Sequence, residues 1–327
     1  MLRLAILDVG HGTSMVLQSQ HEVIVIDAGR RATLLEYLVH AGISEIAHVI
    51  ISHADSDHLD GLTHMMLNSE FAIRDVYVNP DATKASDSWD EFRRSVRLRR
   101  EAGAAPRIQG IAADTTIPVV TPGLAIEVLA PATEEWLGGV GGVSLGGKRM
   151  DSNALSAVVR VVFGDHDLLL AGGDAGKLAF DALNERGRSI HAEVLAFPHH
   201  GGHPGTADMQ AFGELVTRMV DPCWVVFSTG RGSHGTPQPE IVQGVRRAAP
   251  LARIACTQLS KRCATKLVKP SVAAHLASIP AMGRVPGSCC AGSMVWTIGD
   301  DGVEVSPRRD EHERFITAVT ESPLCRT

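Results

Sequence analysis

Residues 47–61 read AHVIISHADSDHLDG, an apolar strand-like run followed at once by two His and three Asp within positions 51–61. Metal ligands in α/β proteins collect beyond the carboxyl ends of strands, where loops converge. On a tight turn His53, Asp55 and Asp57 point the same way, while His58 starts the next element and reaches the site from another side. A helix is expected to begin near Ser56. Such a pattern suits two adjacent ions, and imidazole mixed with carboxylate fits Zn²⁺, Mn²⁺ or Fe²⁺. Helix capping explains Asp55 or Ser56, and the helix dipole explains Asp57, but neither explains both flanking His.

Other apolar runs end in polar or Gly-containing clusters. Asp8 lies in LDVGHG, Asp27 in VIDAG, Asp174 in LLAGGD, His199 and His200 in AFPHHGG, and Ser228, Thr229 and Gly230 in VFSTG. Their recurrence points to one shared site. The runs themselves are short and rich in Val, Ile and Leu, as sheet strands are. Helical patterns such as RATLLEYLVHAG and ADMQAFGELVTRM lie between several of them. Strands come first, strand and helix then alternate, and the later half repeats that order, which predicts two packed sheets with helices outside, a four-layer α/β arrangement.

The 327 residues are 44% hydrophobic, enough to bury a sizeable core in one large domain. No low-complexity linker divides the chain, so a single domain over 1–327 is expected, with a Cys-containing irregular insertion at about 256–292. Thirty-one Lys and Arg against 37 Asp and Glu give a formal charge of -6, which excludes a global positive field for nucleic acid; any basic groove is local. The start of the chain alternates like a strand rather than a secretory leader, and no apolar stretch reaches the roughly 18–20 residues of a membrane span. A cytoplasmic location is the expectation.

Taken in order, these motifs resemble those of metallo-β-lactamase-fold hydrolases, and more closely the soluble hydrolase domain of the competence protein ComEC and its stand-alone relatives. The matching stretches are DVGHG, IDAG, SHADSDH, SNALSAVV, LLAGGD and PHHGG, within about residues 1 to 250. The resemblance implies an αββα sandwich and metal-assisted hydrolysis with two divalent ions, Zn or Mn, acting through a metal-activated water. It implies metal ligands among His53, Asp55, Asp57, His58, Asn153, Asp174, His199 and His200, with Asp174 bridging the ions. Asp57 or Asp174 orients the water, while His234, Ser228, Thr229 and Gly230 contact substrate. Asp8, His11 and Asp27 fix ligand geometry by hydrogen bonds from behind. The substrate class implied is a phosphodiester, nucleic acid or nucleotide; another ester, an amide or a lactone suits the same fold, and two His missing from the family pattern suit a degenerate, non-catalytic binding protein of that fold.

Two positions depart from the family pattern. Asp55 stands where the wider family has His, and the third-motif His is replaced in MDSNALS by Asn153 or Asp151. Both changes remove nitrogen donors and favour an oxygen-rich, manganese-using centre. In RGSHGTPQPE, relatives carry a His close to Thr236, leaving His234 to substitute by a different reach.

Other segments are read more plainly. The Gly-rich stretch 134–153 lacks Walker spacing, because Arg149 follows Lys148, and is expected to cover the cleft with Lys148 and Arg149 as phosphate contacts. The Arg-rich helix near residues 91–103 reads as a solvated surface. Cys256, Cys263, Cys289 and Cys290 cluster in one loop-rich segment, where a structural Zn, a redox-sensitive bridge and inert thiols all fit.

Overall fold

Alternating side chains along the first strands decide how the layers form. Leu2, Leu4 and Ile6 face one way and Ala5 and Leu7 the other, all fully buried, so this strand lies between two apolar layers. The computed structural model describes residues 1–327 except 31, 82, 85, 233, 268–273, 300, 301, 321 and 327. In chain order the strands are β1 (Leu2–Ile6), β2 (Ser14–Gln18), β3 (Val23–Ala28), β4 (Glu45–Ile50), β5 (Ala72–Tyr77) and β6 (Arg107–Gln109). They continue as β7 (Leu124–Ala130), β8 (Val158–Phe163), β9 (His166–Ala171), β10 (Val194–Ala196), β11 (Trp224–Phe227), β12 (Arg253–Cys256), β13 (Met294–Gly299) and β14 (Gly302–Ser306).

One sheet has the order β14-β13-β1-β2-β3-β4-β5-β6 and the other β12-β11-β10-β9-β8-β7. Each is antiparallel on one side and parallel on the other: β3 to β6 run parallel, as do β9 to β12. Parallel neighbours need crossovers, and helices supply most of them. The crossover helices are α1 (Thr33–His40), α2 (Ser56–Leu67), α3 (Asp87–Glu101), α5 (Lys177–Glu185), α6 (Met209–Val220) and α7 (Pro239–Ala248), while α4 (Thr133–Gly138) joins the antiparallel β7 and β8 and α8 (Arg309–Val319) follows β14.

Three apolar layers follow. Leu2, Leu4 and Ile6 meet Leu169, Val226 and Trp296 between the sheets. Leu34, Leu38, Leu59 and Leu62 of α1 and α2 cover the outer face of the first sheet. Phe180, Phe212, Ile241 and Phe315 of α5 to α8 cover the second. The result is the four-layer αββα sandwich expected from the repeated element order. Leu4→Ala, at the centre of the inter-sheet layer, should cost about 2–5 kcal/mol of stability.

Arg99 explains why the Arg-rich helix is a surface element with one structural task. Its guanidinium donates to the carbonyls of Met65, Met66, Asn68 and Phe71, tying α3 to the open end of α2. Within the Gly-rich stretch, α4 is followed by a narrow turn closed by a Val143–Arg149 bridge. The connection from β12 to β13 crosses between sheets; residues 268–273 of this insertion lie outside the described part. Among the described residues no helix is long and apolar enough to cross a membrane.

Candidate metal centre

Strand ends from both sheets meet at one cleft of about 800 Å³. β4 delivers His53 to His58, β9 delivers Asp174, and β10 delivers His199 and His200 through a short 3-10 turn. Three residues here hold a left-handed backbone that only glycine adopts freely: Asp27, His199 and His200, with φ of 55°, 54° and 54°. Strain of this kind persists where the surroundings fix it, and all three side chains point into the polar cluster.

Asp174 is at its centre. Its Oδ1 lies 3.2 Å from His58 Nε2 and 3.5 Å from His200 Nε2, while Oδ2 lies 3.5 Å from His199 Nδ1 and 3.8 Å from His53 Nε2. Asp57 Oδ2 is 3.3 Å from His200 Nε2 and 3.9 Å from His58 Nε2. Two sets of donor atoms gather within 4.8 Å, one from His53, His58 and Asp174 and one from His11, Asp57 and His200. His53 Nε2, His58 Nε2, His200 Nε2 and Asp174 Oδ1 are buried without a hydrogen-bond partner among the described residues. An unsatisfied buried polar atom costs about 1–3 kcal/mol, and four converging on one point fit a cation.

The donor atoms are held from behind. Asp27 accepts from Ser52 N at 2.7 Å and sits 2.7 Å from His58 Nδ1, which turns His58 Nε2 toward the cluster. Ser52 Oγ also bonds Asp27 and approaches His53 Nδ1 at 3.0 Å, and Ser156 Oγ accepts from Asp174 N at 2.9 Å. Ser52 and Ser156 were not singled out by the sequence reading, although both lie inside quoted motifs. Gly173 (φ 52°) allows this packing, since a Cβ there would meet Ser156 Oγ at 2.5 Å.

Charge follows geometry. Burial works against ionised Asp57, but the His200 imidazole 3.3 Å away and the nearby His58 charge hold its carboxyl far below the usual range. Burial likewise opposes Asp174, and His58 and His200 outweigh it. Burial alone would strip His58 of its extra proton; Asp27 and Asp174 keep it protonated well above the ordinary His value. A divalent ion bound there would take the place of that proton. His53, by contrast, is lowered by burial and then by the His58 charge. His11 is lowered to about 4, by burial and then by His200.

This arrangement of strand-end donors between two helix-covered sheets decides the architecture. The chain has the metallo-β-lactamase fold. The family model described as Anti-Pycsar protein Apyc1 matches residues 7–88. Competence protein ComA of Neisseria gonorrhoeae is 23% identical over 245 residues, 74% of this chain, and the match spans only 29% of ComA. Among solved structures, the metallo hydrolase Igni18 of Ignicoccus hospitalis is 20% identical with a TM-score of 0.44, covering 78% of this chain and 94% of that one. The metallo-β-lactamase-fold protein YhfI of Bacillus subtilis is 12% identical with a TM-score of 0.46, covering 78% and 96%.

Other expected site residues are placed unevenly. Asp55 starts α2, but its carboxylate makes no cap bond; it contacts Lys84 and lies 3.7 Å from His53 Nε2. Lys84 has no local sequence signal and was missed. Asn153 lines the cleft, its Nδ2 3.5 Å from His199 Nδ1, whereas Asp151 is spent on the Ala154 amide. Gly230 and His234 line the cleft wall. Ser228 and Thr229 are withdrawn from it: Ser228 Oγ donates to Gly12 O at 2.6 Å, and Thr229 Oγ1 pairs with Thr236. Lys148 and Arg149 are exposed on the narrow turn and do not line the cleft.

Asp8 has a different task from the one expected. It accepts from Gly10 N, Gly283 N and Gln258 Nε2 at 2.8–3.1 Å and from Cys289 Sγ at 3.3 Å, binding the β1–β2 turn to the C-terminal insertion. That contact also removes Cys289 from the expected zinc set. Cys256, Cys263 and Cys290 instead line a void of about 10 Å³ with Cys325, and all six Cys are free thiols. Neither donor group within 4.8 Å contains Cys, among the described residues.

Proposed function

We propose that the protein is a metal-dependent hydrolase that cleaves a phosphodiester, with nucleic acid or a nucleotide as the substrate class. Asp174 carries the reading: its two oxygens face different donors, His58 and His200 on one side and His53 and His199 on the other. His53, His199 and one oxygen of Asp174 would hold one divalent ion, and Asp57, His58, His200 and the other oxygen a second. Bound Zn²⁺ or Mn²⁺ would supply Lewis acidity and bring the pKa of water toward neutrality. Asp55 lies beside His53, shared with Lys84, and Asn153 lies beside His199; neither brings an imidazole, in keeping with a centre that accepts Mn²⁺.

The protein's own groups define the rest. Asp57, kept ionised, accepts a hydrogen bond from the attacking water and sets its direction. Arg231 lines the cleft with its guanidinium anchored on the carbonyls of Leu259 and Thr265, so its positive charge is fixed and meets no carboxylate in those bonds. Such a charge favours a phosphate over a neutral ester. His234 and Gly230 lie on the same wall, from which His234 would hand a proton to the leaving oxygen.

The test is a substrate panel on metal-depleted protein reloaded with Mn²⁺ or Zn²⁺: bis(p-nitrophenyl) phosphate, oligonucleotides, dinucleotides, carboxylic esters, amides and lactones. Metal-restored cleavage of a phosphodiester is expected. Turnover confined to esters, amides or lactones overturns the substrate class, and no turnover on any of them overturns the hydrolase reading.

A further inference from the structure

We infer that His11, in the turn between β1 and β2, is itself a metal ligand and completes the coordination shared by Asp57 and His200. This rests on the two-ion reading above. His11 Nε2 lies 3.6 Å from Asp57 Oδ2, the same oxygen that is 3.3 Å from His200 Nε2, and the His11 and His200 rings are 4.6 Å apart. Donor atoms bound at about 2.0–2.2 Å to one tetrahedral ion stand roughly 3.3–3.6 Å from each other. The His11–Asp57 and Asp57–His200 pairs already have that spacing, and all three donor atoms lie within 4.8 Å of one another.

The seat for His11 is built by three close backbone approaches. Gly12 (φ 133°) lies against Asp57, where a Cβ would meet Asp57 O at 2.5 Å, and Thr13 N donates to that same oxygen at 3.1 Å. Gly230 lies against the other side, where a Cβ would meet His11 N at 2.4 Å. Ser228 Oγ then ties the turn down through Gly12 O. Across the cleft wall the His234 ring stacks on His11 at 3.9 Å and 2°, fixing the plane of its imidazole. A residue meant only to fill the turn needs none of this. Thr236, in contrast, is turned to Thr229 and offers the ions no donor. His11 therefore provides the imidazole on this side, from the opposite end of the chain.

The test is a Co²⁺ titration of metal-free wild type, His11→Ala and His11→Phe, read by bound-metal content and by the cobalt d–d absorption, which reports coordination number. His11→Phe keeps a ring against His234 and guards against loss of the turn; circular dichroism checks the fold. Wild type should bind two ions. Both variants should hold one ion unchanged and bind the other at least about 100-fold more weakly, with its spectrum shifted to fewer nitrogen donors. A His11 that only bonds Asp57 or moves a proton would slow turnover and leave metal content and spectrum alone, which overturns the inference. Wild type that binds no ion overturns the two-ion reading as well, so the two failures are distinct.

Discussion

Two regions of this protein bury His among reactive side chains, and they behave in opposite ways. At the cleft, His58 is surrounded by Asp27, Asp57 and Asp174, and the carboxylates more than offset burial and keep it charged. In the pocket under α8, His312 faces the Cys290 thiol at 3.4 Å, the His275 ring and Arg253, and it is pushed down to about 3, first by burial and then by the Arg253 charge. The thiols there shift the same way in physical terms: burial raises Cys256 and Cys290 well above the usual value, keeping them neutral. Carboxylates mark the first region as a place for cations. In the second, among the described residues His312 forms no ion pair with a carboxylate, and Glu311 and Glu313 act on its neighbours His275 and Arg253 instead, which marks it as packing.

The contrast can be broken most severely at Asp174. Asp174→Asn keeps the shape but removes the charge facing both sets of donors, and it should lower turnover about a thousand-fold or more and lose at least one ion, measured by kinetics and metal content. Next is Asp27→Asn, which leaves every ligand in place but weakens the hold on His58 Nδ1. Metal affinity should fall about 10–100-fold.

The pocket under α8 is probed by pH. Because His312 is neutral when folded and has an ordinary value near 6.5 when unfolded, the unfolded chain binds more protons between about 3 and 6.5. Its contribution is complete above that ordinary value and is lost as the pH falls, by about 2 kcal/mol at pH 5. Urea midpoints at pH 7.5 and pH 5 should therefore differ more in wild type than in His312→Phe; equal slopes would contradict the assignment. The smallest effect belongs to the thiols. Cys263→Ser or Cys325→Ser should leave metal content unchanged, and loss of an ion in either variant would make the pocket a metal site after all.

Much of this contrast could be read from the sequence where a donor sits at a strand end. His53, Asp57, His58, Asp174, His199 and His200 all follow apolar runs, and the strand register alone delivers them to one edge. The four-layer order followed from the same runs. Long-range contacts were not legible. Asp8 looked like a support for the ligands because it lies just beyond β1 as Asp27 lies at the end of β3, yet besides the nearby Gly10 its carboxylate partners come from residues 258, 283 and 289. Cys289 and Cys290 are adjacent but part company: Cys289 turns to Asp8, and of the two Cys290 enters the thiol pocket. Asp55 was read as an oxygen donor, but Lys84, which contacts it, comes from a loop with no motif. His11 needed Gly12 and Gly230 together, more than 200 residues apart in sequence, before its position beside Asp57 could be seen.

The central claim is that one carboxylate, Asp174, stands between two ions. Anomalous diffraction from crystals of the wild-type protein grown with Mn²⁺ tests it most directly. Two peaks are expected on either side of Asp174, one beside His53 and His199 and the other beside Asp57 and His200. A single peak, or peaks that do not share Asp174, would contradict the account.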